Sequence, residues 1–140
     1  MKKTTLLVLI LLAFSTAIAW AGPNDEKKAR DSFYSIVQNT LGFSRSDCKD
    51  IRNSGYGPQM ALALLYIARE TGKSVSEILK LRDNMNYSFK EICDEYNVNY
   101  EVVAAKYRAD VIKYNILFPS DTKSERKKNV TTRPRIKGGK

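Results

Sequence analysis

Residues 60–81, MALALLYIARETGKSVSEILKL, contain the signals that decide the fold of this chain. The run of residues 60–68 is apolar almost all round a helix, which predicts a central helix that is surrounded on every side. Gly72 ends this helix, because glycine readily adopts the left-handed conformation. Ser74 and Glu77 then form a capping box, which predicts the start of the next helix.

The same pattern returns further along the chain. Each copy consists of a helix, a break residue that accepts a positive φ, and a capped second helix. Ala68 and Cys93 hold equivalent small positions, which let the second helix approach the first. The other aligned positions, found on shifting the chain by 25 residues, are Leu64 with Phe89, Ile67 with Ile92, Glu70 with Glu95, Gly72 with Asn97, Ser74 with Asn99, and Ile78 with Val103.

These two units resemble the helix-turn-helix signature of bacterial DNA-binding proteins. The resemblance implies a recognition helix with outward side chains for DNA, and the equivalent positions are Ser76, Glu77, Tyr100, Glu101 and Lys106. Glu77 and Glu101 repel phosphate near the helix starts, so the pattern favours a packing corner over a DNA reader. Residues 55–82 also resemble a repeat of small exported bacterial proteins without a known activity, so this likeness implies no function.

Further helices are expected on both sides of the repeat. The apolar stripe of residues 25–41 predicts a first helix, capped by Asn24 and ended by Gly42. Ser44 starts a second helix, and Pro58 occupies the first position of the third. Ser88 begins another capped helix, and the long last helix continues until Pro119. The predicted fold is an all-α bundle of about six helices over residues 22–118, with two helix-turn-helix-like corners.

Residues 1–21 have the features of a signal peptide. Lys2 and Lys3 provide the positive start, residues 4–14 the apolar run, and residues 19–21 a small-x-small cleavage pattern. The alternative is an uncleaved membrane anchor, since residues 4–21 approach the length of a spanning helix. We expect an exported protein, either periplasmic or secreted.

The charge of the chain is concentrated at its C-terminal end. Residues 22–118 carry a formal charge of only +1, whereas residues 119–140 carry +6. We expect residues 119–140 to form a disordered basic tail. Such a tail attracts an anionic polymer, a membrane surface or an acidic protein, although it is equally typical of a solvated end. The tail lacks the aromatic residues that favour single-stranded nucleic acid. Its basic residues are Lys123, Arg126, Lys127, Lys128, Arg133, Arg135, Lys137 and Lys140.

Cys48 and Cys93 are the two cysteines of the chain. An even count in an exported protein favours a disulfide between them, and the alternative is two buried thiols that act as small apolar side chains. Histidine is absent, which removes the commonest metal ligand and the commonest general base. We therefore predict no catalytic residue, metal site or cofactor.

Three hypotheses of function follow. The first is an exported, non-enzymatic binding or structural module whose tail attracts anionic partners. The second is a nucleic-acid-binding protein outside the cytoplasm, which would use Lys106 and Arg108. The third is a small cell-wall hydrolase with Glu91 or Glu95 as its carboxylates. Separately, the positions of Tyr87, Tyr96 and Tyr100 around the second corner allow a shallow aromatic pocket.

Overall fold

A computed structural model describes residues 22–119, which form six helices and contain no strand. The prediction of an all-α fold is confirmed. The helices are α1 (Pro23–Asn39), α2 (Arg45–Asn53), α3 (Pro58–Thr71), α4 (Val75–Asp83), α5 (Phe89–Glu95) and α6 (Tyr100–Lys113).

Helix α3 lies at the centre and contacts each of the other five helices. Leu62, Leu64 and Ile67 are at most 1% exposed, although they point to different sides of the helix. The apolar character of residues 60–68 on all sides therefore corresponds to neighbours on all sides, as predicted. Truncating one of these side chains to alanine would cost about 2–5 kcal/mol, because the tightly packed surroundings relax only in part.

The same backbone arrangement joins every pair of consecutive helices. A residue with positive φ stands two positions before the residue that caps the next helix. At the two repeated corners this arrangement includes a backbone hydrogen bond from Lys73 N to Ala68 O (3.0 Å) and from Val98 N to Cys93 O (2.9 Å). The positive-φ residues at these five junctions are Gly42, Gly55, Gly72, Asn86 and Asn97.

The two repeated corners are thus alike. The other three junctions, however, also have a positive-φ residue two positions before the next N-cap. A left-handed residue followed by a capped helix satisfies the backbone groups at each helix end and turns the chain sharply. This arrangement is therefore a general way to connect short packed helices and is not specific to the two corners. The helix-turn-helix character of the two corners stays a prediction.

Two predicted helix boundaries are wrong. Helix α1 begins at Pro23 with Gly22 as its N-cap, because proline is well suited to the first helical position; Asn24 lies inside the helix. Helix α6 ends at Lys113 and does not reach Pro119. Asn115 has a φ of 47°, and the chain then folds back so that Ile116 enters the core.

The predicted signal peptide and all eight basic residues of the tail lie outside the described residues. Within residues 22–119, none of the helices combines the length and the apolar character that crossing a membrane requires.

Candidate functional site

A groove lies between α3, α5 and α6, with a volume of about 330 Å³. Helices α3 and α6 each provide five of its lining residues, and α5 provides Phe89. Most of the lining is apolar or aromatic, which is typical of a site for a small organic ligand. The lining residues, called the helix groove below, are Gln59, Met60, Ala63, Tyr66, Ile67, Phe89, Tyr100, Val103, Ala104, Tyr107 and Arg108.

The rings of two tyrosines form part of the groove wall. Tyr66 and Tyr107 meet edge to face, with ring centroids 5.7 Å apart. The Tyr66 hydroxyl donates a hydrogen bond of 2.6 Å to Oδ2 of Asp110. Gln59 of α3 acts on Tyr107 of α6 and lowers its pKa, against the larger effect of burial. These contacts fix the shape of the groove from both helices.

The protonation of these phenols follows from their surroundings. Burial raises the pKa of Tyr66, and the hydrogen bond to Asp110 raises it further, against a smaller opposing effect of Arg69. Burial also raises the pKa of Tyr107. Both phenols therefore stay neutral at physiological pH and serve as hydrogen-bonding groups, not as bases. The groove therefore offers neutral hydrogen-bonding groups to a ligand.

Arg108 is the charged group of the groove. Its side chain is exposed, and no described residue holds its guanidinium in a hydrogen bond or an ion pair. Lys106, two residues earlier, is engaged differently, because its Nζ lies 2.5 Å from Oε2 of Glu70 on α3. Of the two cations assigned to nucleic-acid binding, one is thus paired within the fold and the other faces the helix groove.

The structure does not gather the three predicted pocket tyrosines around this groove. Tyr100 lines it, but Tyr87 and Tyr96 do not. The Tyr96 ring lies beneath the Lys73 ammonium at 5.1 Å. The backbone carbonyl of Tyr87 accepts a 2.7 Å hydrogen bond from the buried Arg82, and its side chain is half-buried against the core. Tyr87 therefore lies at the junction of α4 and α5, and Tyr96 at the junction of α5 and α6.

The predicted Cys48–Cys93 disulfide is wrong, because the structure holds both residues as buried free thiols. Cys48 belongs to α2, which packs on α1, α3 and α4, whereas Cys93 belongs to α5, which packs on α3, α4 and α6. Burial raises the pKa of Cys48 to about 11, with a further increase from Asp47. Burial also raises the pKa of Cys93. The alternative interpretation, two small core side chains, describes both residues.

The carboxylates of the hydrolase hypothesis lie at opposite ends of the short helix α5. The Glu91 carboxylate accepts a 2.8 Å hydrogen bond from the backbone N–H of Ser88, which completes a capping box. Glu95 lies one turn later on the same short helix and is exposed. Among residues 22–119, no group of three or more histidine, cysteine or acidic side chains is placed to hold a metal ion.

Sequence reasoning missed the helix groove. Its two long walls follow helical spacing, with residues 59, 60, 63, 66 and 67 on α3 and residues 100, 103, 104, 107 and 108 on α6. Ala63 and Ala104 carry the small side chains that leave this space unfilled, but the sequence does not show that their two helix surfaces face each other. No protein-family model, curated protein or solved structure matches this chain at a significant level.

Proposed function

We propose that this protein is an exported, non-enzymatic binding module whose basic residues in 119–140 bind an anionic partner. The observation that carries the proposal is the separation of charge along the chain: the helical body is almost neutral, whereas the last 22 residues carry +6. A concentrated run of cations releases counterions on binding a polyanion, and this release favours association.

The helical body offers little competing attraction, because many of its cations already have partners. Arg52 lies 2.5 Å from Asp31, and Lys90 lies 2.7 Å from Asp94. The Arg69 guanidinium stacks over the Phe43 ring at 4.1 Å and donates to the Leu41 carbonyl. Arg82 is 5% exposed. Binding of a polyanion is therefore expected to depend on residues 119–140.

The experiment compares two variants of the full chain with equal changes in charge. The tail variant replaces four clustered cations by glutamine, and the body variant replaces four exposed lysines of the helices by glutamine. Binding to an acidic polysaccharide such as heparin is measured as a function of salt. The replaced residues are Lys123, Arg126, Lys127 and Lys128 in the tail variant, and Lys27, Lys28, Lys49 and Lys80 in the body variant.

The tail variant should lose at least about tenfold in affinity and should show a shallower dependence on salt, because fewer counterions are released. The body variant should bind almost as the unmodified protein does. Equal losses in the two variants would contradict the proposal, since net charge alone would then explain binding. Unchanged binding by the tail variant would also contradict it.

A further inference from the structure

We propose that the helix groove binds a free carboxylic acid with an unbranched acyl chain, whose carboxylate pairs with Arg108. This site is separate from residues 119–140 and does not depend on the function proposed for them. Three features of the groove lead to this ligand: its length, its apolar lining and its single unpaired cation.

The length of the groove favours a straight chain. The lining residues of α3 extend from Gln59 to Ile67, and those of α6 from Tyr100 to Arg108. At 1.5 Å per residue each wall is about 12 Å long. The volume of about 330 Å³ lies at the lower end of the range for ligand sites. A groove of this volume, lined over about two helical turns on each wall, accommodates a medium-length alkyl chain.

Polar atoms occur along both walls of the groove, but its one charged lining residue is Arg108, near the end of the α6 wall. Arg108 directly follows Tyr107 on α6. Tyr100 lies two helical turns before Arg108, beside the apolar wall that includes Val103. A ligand that complements this arrangement has an apolar chain and one anionic head group.

The charge of Arg108 is available to such a head group. No ion pair with residues 22–119 neutralises it, whereas Glu70 neutralises the neighbouring Lys106. Guanidinium binds carboxylate through two parallel hydrogen bonds, which gives direction as well as attraction. The apolar lining supplies the remaining free energy by removing methylene groups from water.

The test uses decanoate below its critical micelle concentration, and decanol below its solubility limit as the uncharged counterpart. Methyl NMR of the full chain reports on Met60, Ile67 and Val103, so that binding in the groove is separated from contact with the apolar residues 4–14. Decanoate should shift these methyl signals with saturation. Arg108→Gln should weaken decanoate about tenfold and leave decanol unchanged.

Arg45→Gln is the matched control, because Arg45 is an exposed arginine outside the groove. It should leave both affinities unchanged. Ala63→Phe should fill the groove and abolish binding of both ligands, with circular dichroism confirming that the helices remain. The tail variant described above should bind decanoate normally, so the two proposals fail independently.

Three results would overturn the proposal. Decanoate without effect on the groove methyl groups would exclude the site. Equal losses of decanoate affinity in Arg108→Gln and Arg45→Gln would show that net charge, and not a specific pair with Arg108, explains the binding. A loss of decanoate binding in the tail variant but not in Arg108→Gln would show that decanoate binds to residues 119–140 and not to the groove.

Discussion

The Tyr66 hydroxyl donates a 2.6 Å hydrogen bond to Oδ2 of Asp110, and this bond ties the central helix to the last one. Tyr66 is 1% exposed, so its polar atom depends on this partner. Within α6 only Val103 is fully buried. The attachment of α6 therefore relies more on such specific contacts than the packing of α3 does.

Tyr66→Phe should destabilise the protein by about 1–2 kcal/mol, because the half-buried Asp110 carboxylate loses its donor. The ring remains, so the edge-to-face contact with Tyr107 is retained. Urea unfolding monitored by circular dichroism measures the difference. Tyr114→Phe is the matched control, since Tyr114 is 37% exposed, and it should change stability by less than about 0.5 kcal/mol. Equal effects would contradict the assigned role of the bond.

The raised pKa of Tyr66 makes stability fall at alkaline pH. Its phenol is neutral in the folded protein at pH values where an unfolded tyrosine, with a pKa of about 10, already ionises. The unfolded state then binds fewer protons than the folded state, so the free energy of unfolding decreases as pH rises. The contribution is complete below about pH 10 and is lost progressively above it.

Tyr66→Phe should accordingly show a shallower loss of stability above about pH 10 than the unmodified protein. Tyr56 contributes in the same direction, because burial and the hydrogen bond to Asp83 raise its pKa as well. Urea unfolding at a series of pH values provides the measurement, with Tyr114→Phe again as control. Parallel curves for Tyr66→Phe and the unmodified protein would show that Tyr66 does not contribute.

The helix boundaries of the repeat could be predicted because their signals are local. Ser74, Ser88 and Asn99 each cap a helix, as expected, and Gly72 and Asn97 have positive φ, as expected. Capping and left-handed breaks depend on a few neighbouring residues, which the sequence displays directly. The early end of α6 was missed because Asn115 is compatible with a helix, and the burial of Ile116 decides against it.

Gly72→Ala should destabilise the protein by about 1 kcal/mol, because Gly72 has a φ of 66° and alanine is disfavoured there. No atom within 4 Å would meet the added Cβ, so the cost comes from the backbone alone. Gly22→Ala is the control, with equally open space but a φ of −70°. Thermal unfolding should show a lower midpoint for Gly72→Ala than for Gly22→Ala, whose cost is limited to the poorer N-cap that alanine provides for α1. Similar midpoints for the two variants would contradict the backbone explanation.

Ser74→Ala should cost about 1 kcal/mol, because the N-terminal turn of α4 loses its cap. The Ser74 hydroxyl accepts a hydrogen bond of 3.2 Å from the Glu77 N–H, and Glu77 accepts one of 3.1 Å from the Ser74 N–H. Ser76→Ala is the matched control inside the same helix, where alanine is the better helix former. Urea unfolding compares the two. A loss of stability in Ser76→Ala equal to that in Ser74→Ala would contradict the role of the cap.

The state of the two cysteines and the presence of the groove could not be predicted from local sequence signals. The number of cysteines and an expected oxidising compartment predict a Cys48–Cys93 pair, but neither determines which helices meet. The groove likewise arises from the relative placement of α3 and α6, and the alanines that leave it open look like ordinary helix residues in the sequence. Both features depend on tertiary packing, which the spacing of residues within one helix does not contain.

Both thiols should resist alkylation in the folded protein and react fully after unfolding. Burial raises the pKa of Cys48 to about 11 and that of Cys93 as well, so little of either is the reactive thiolate at pH 8. Iodoacetamide followed by intact mass measurement should add no group under native conditions and two groups in denaturant, with or without reductant. Two added groups only after reduction would show a disulfide and contradict the arrangement of free thiols. One group added under native conditions would identify a thiol that local opening exposes, because alkylation then reports the less stable part of the fold.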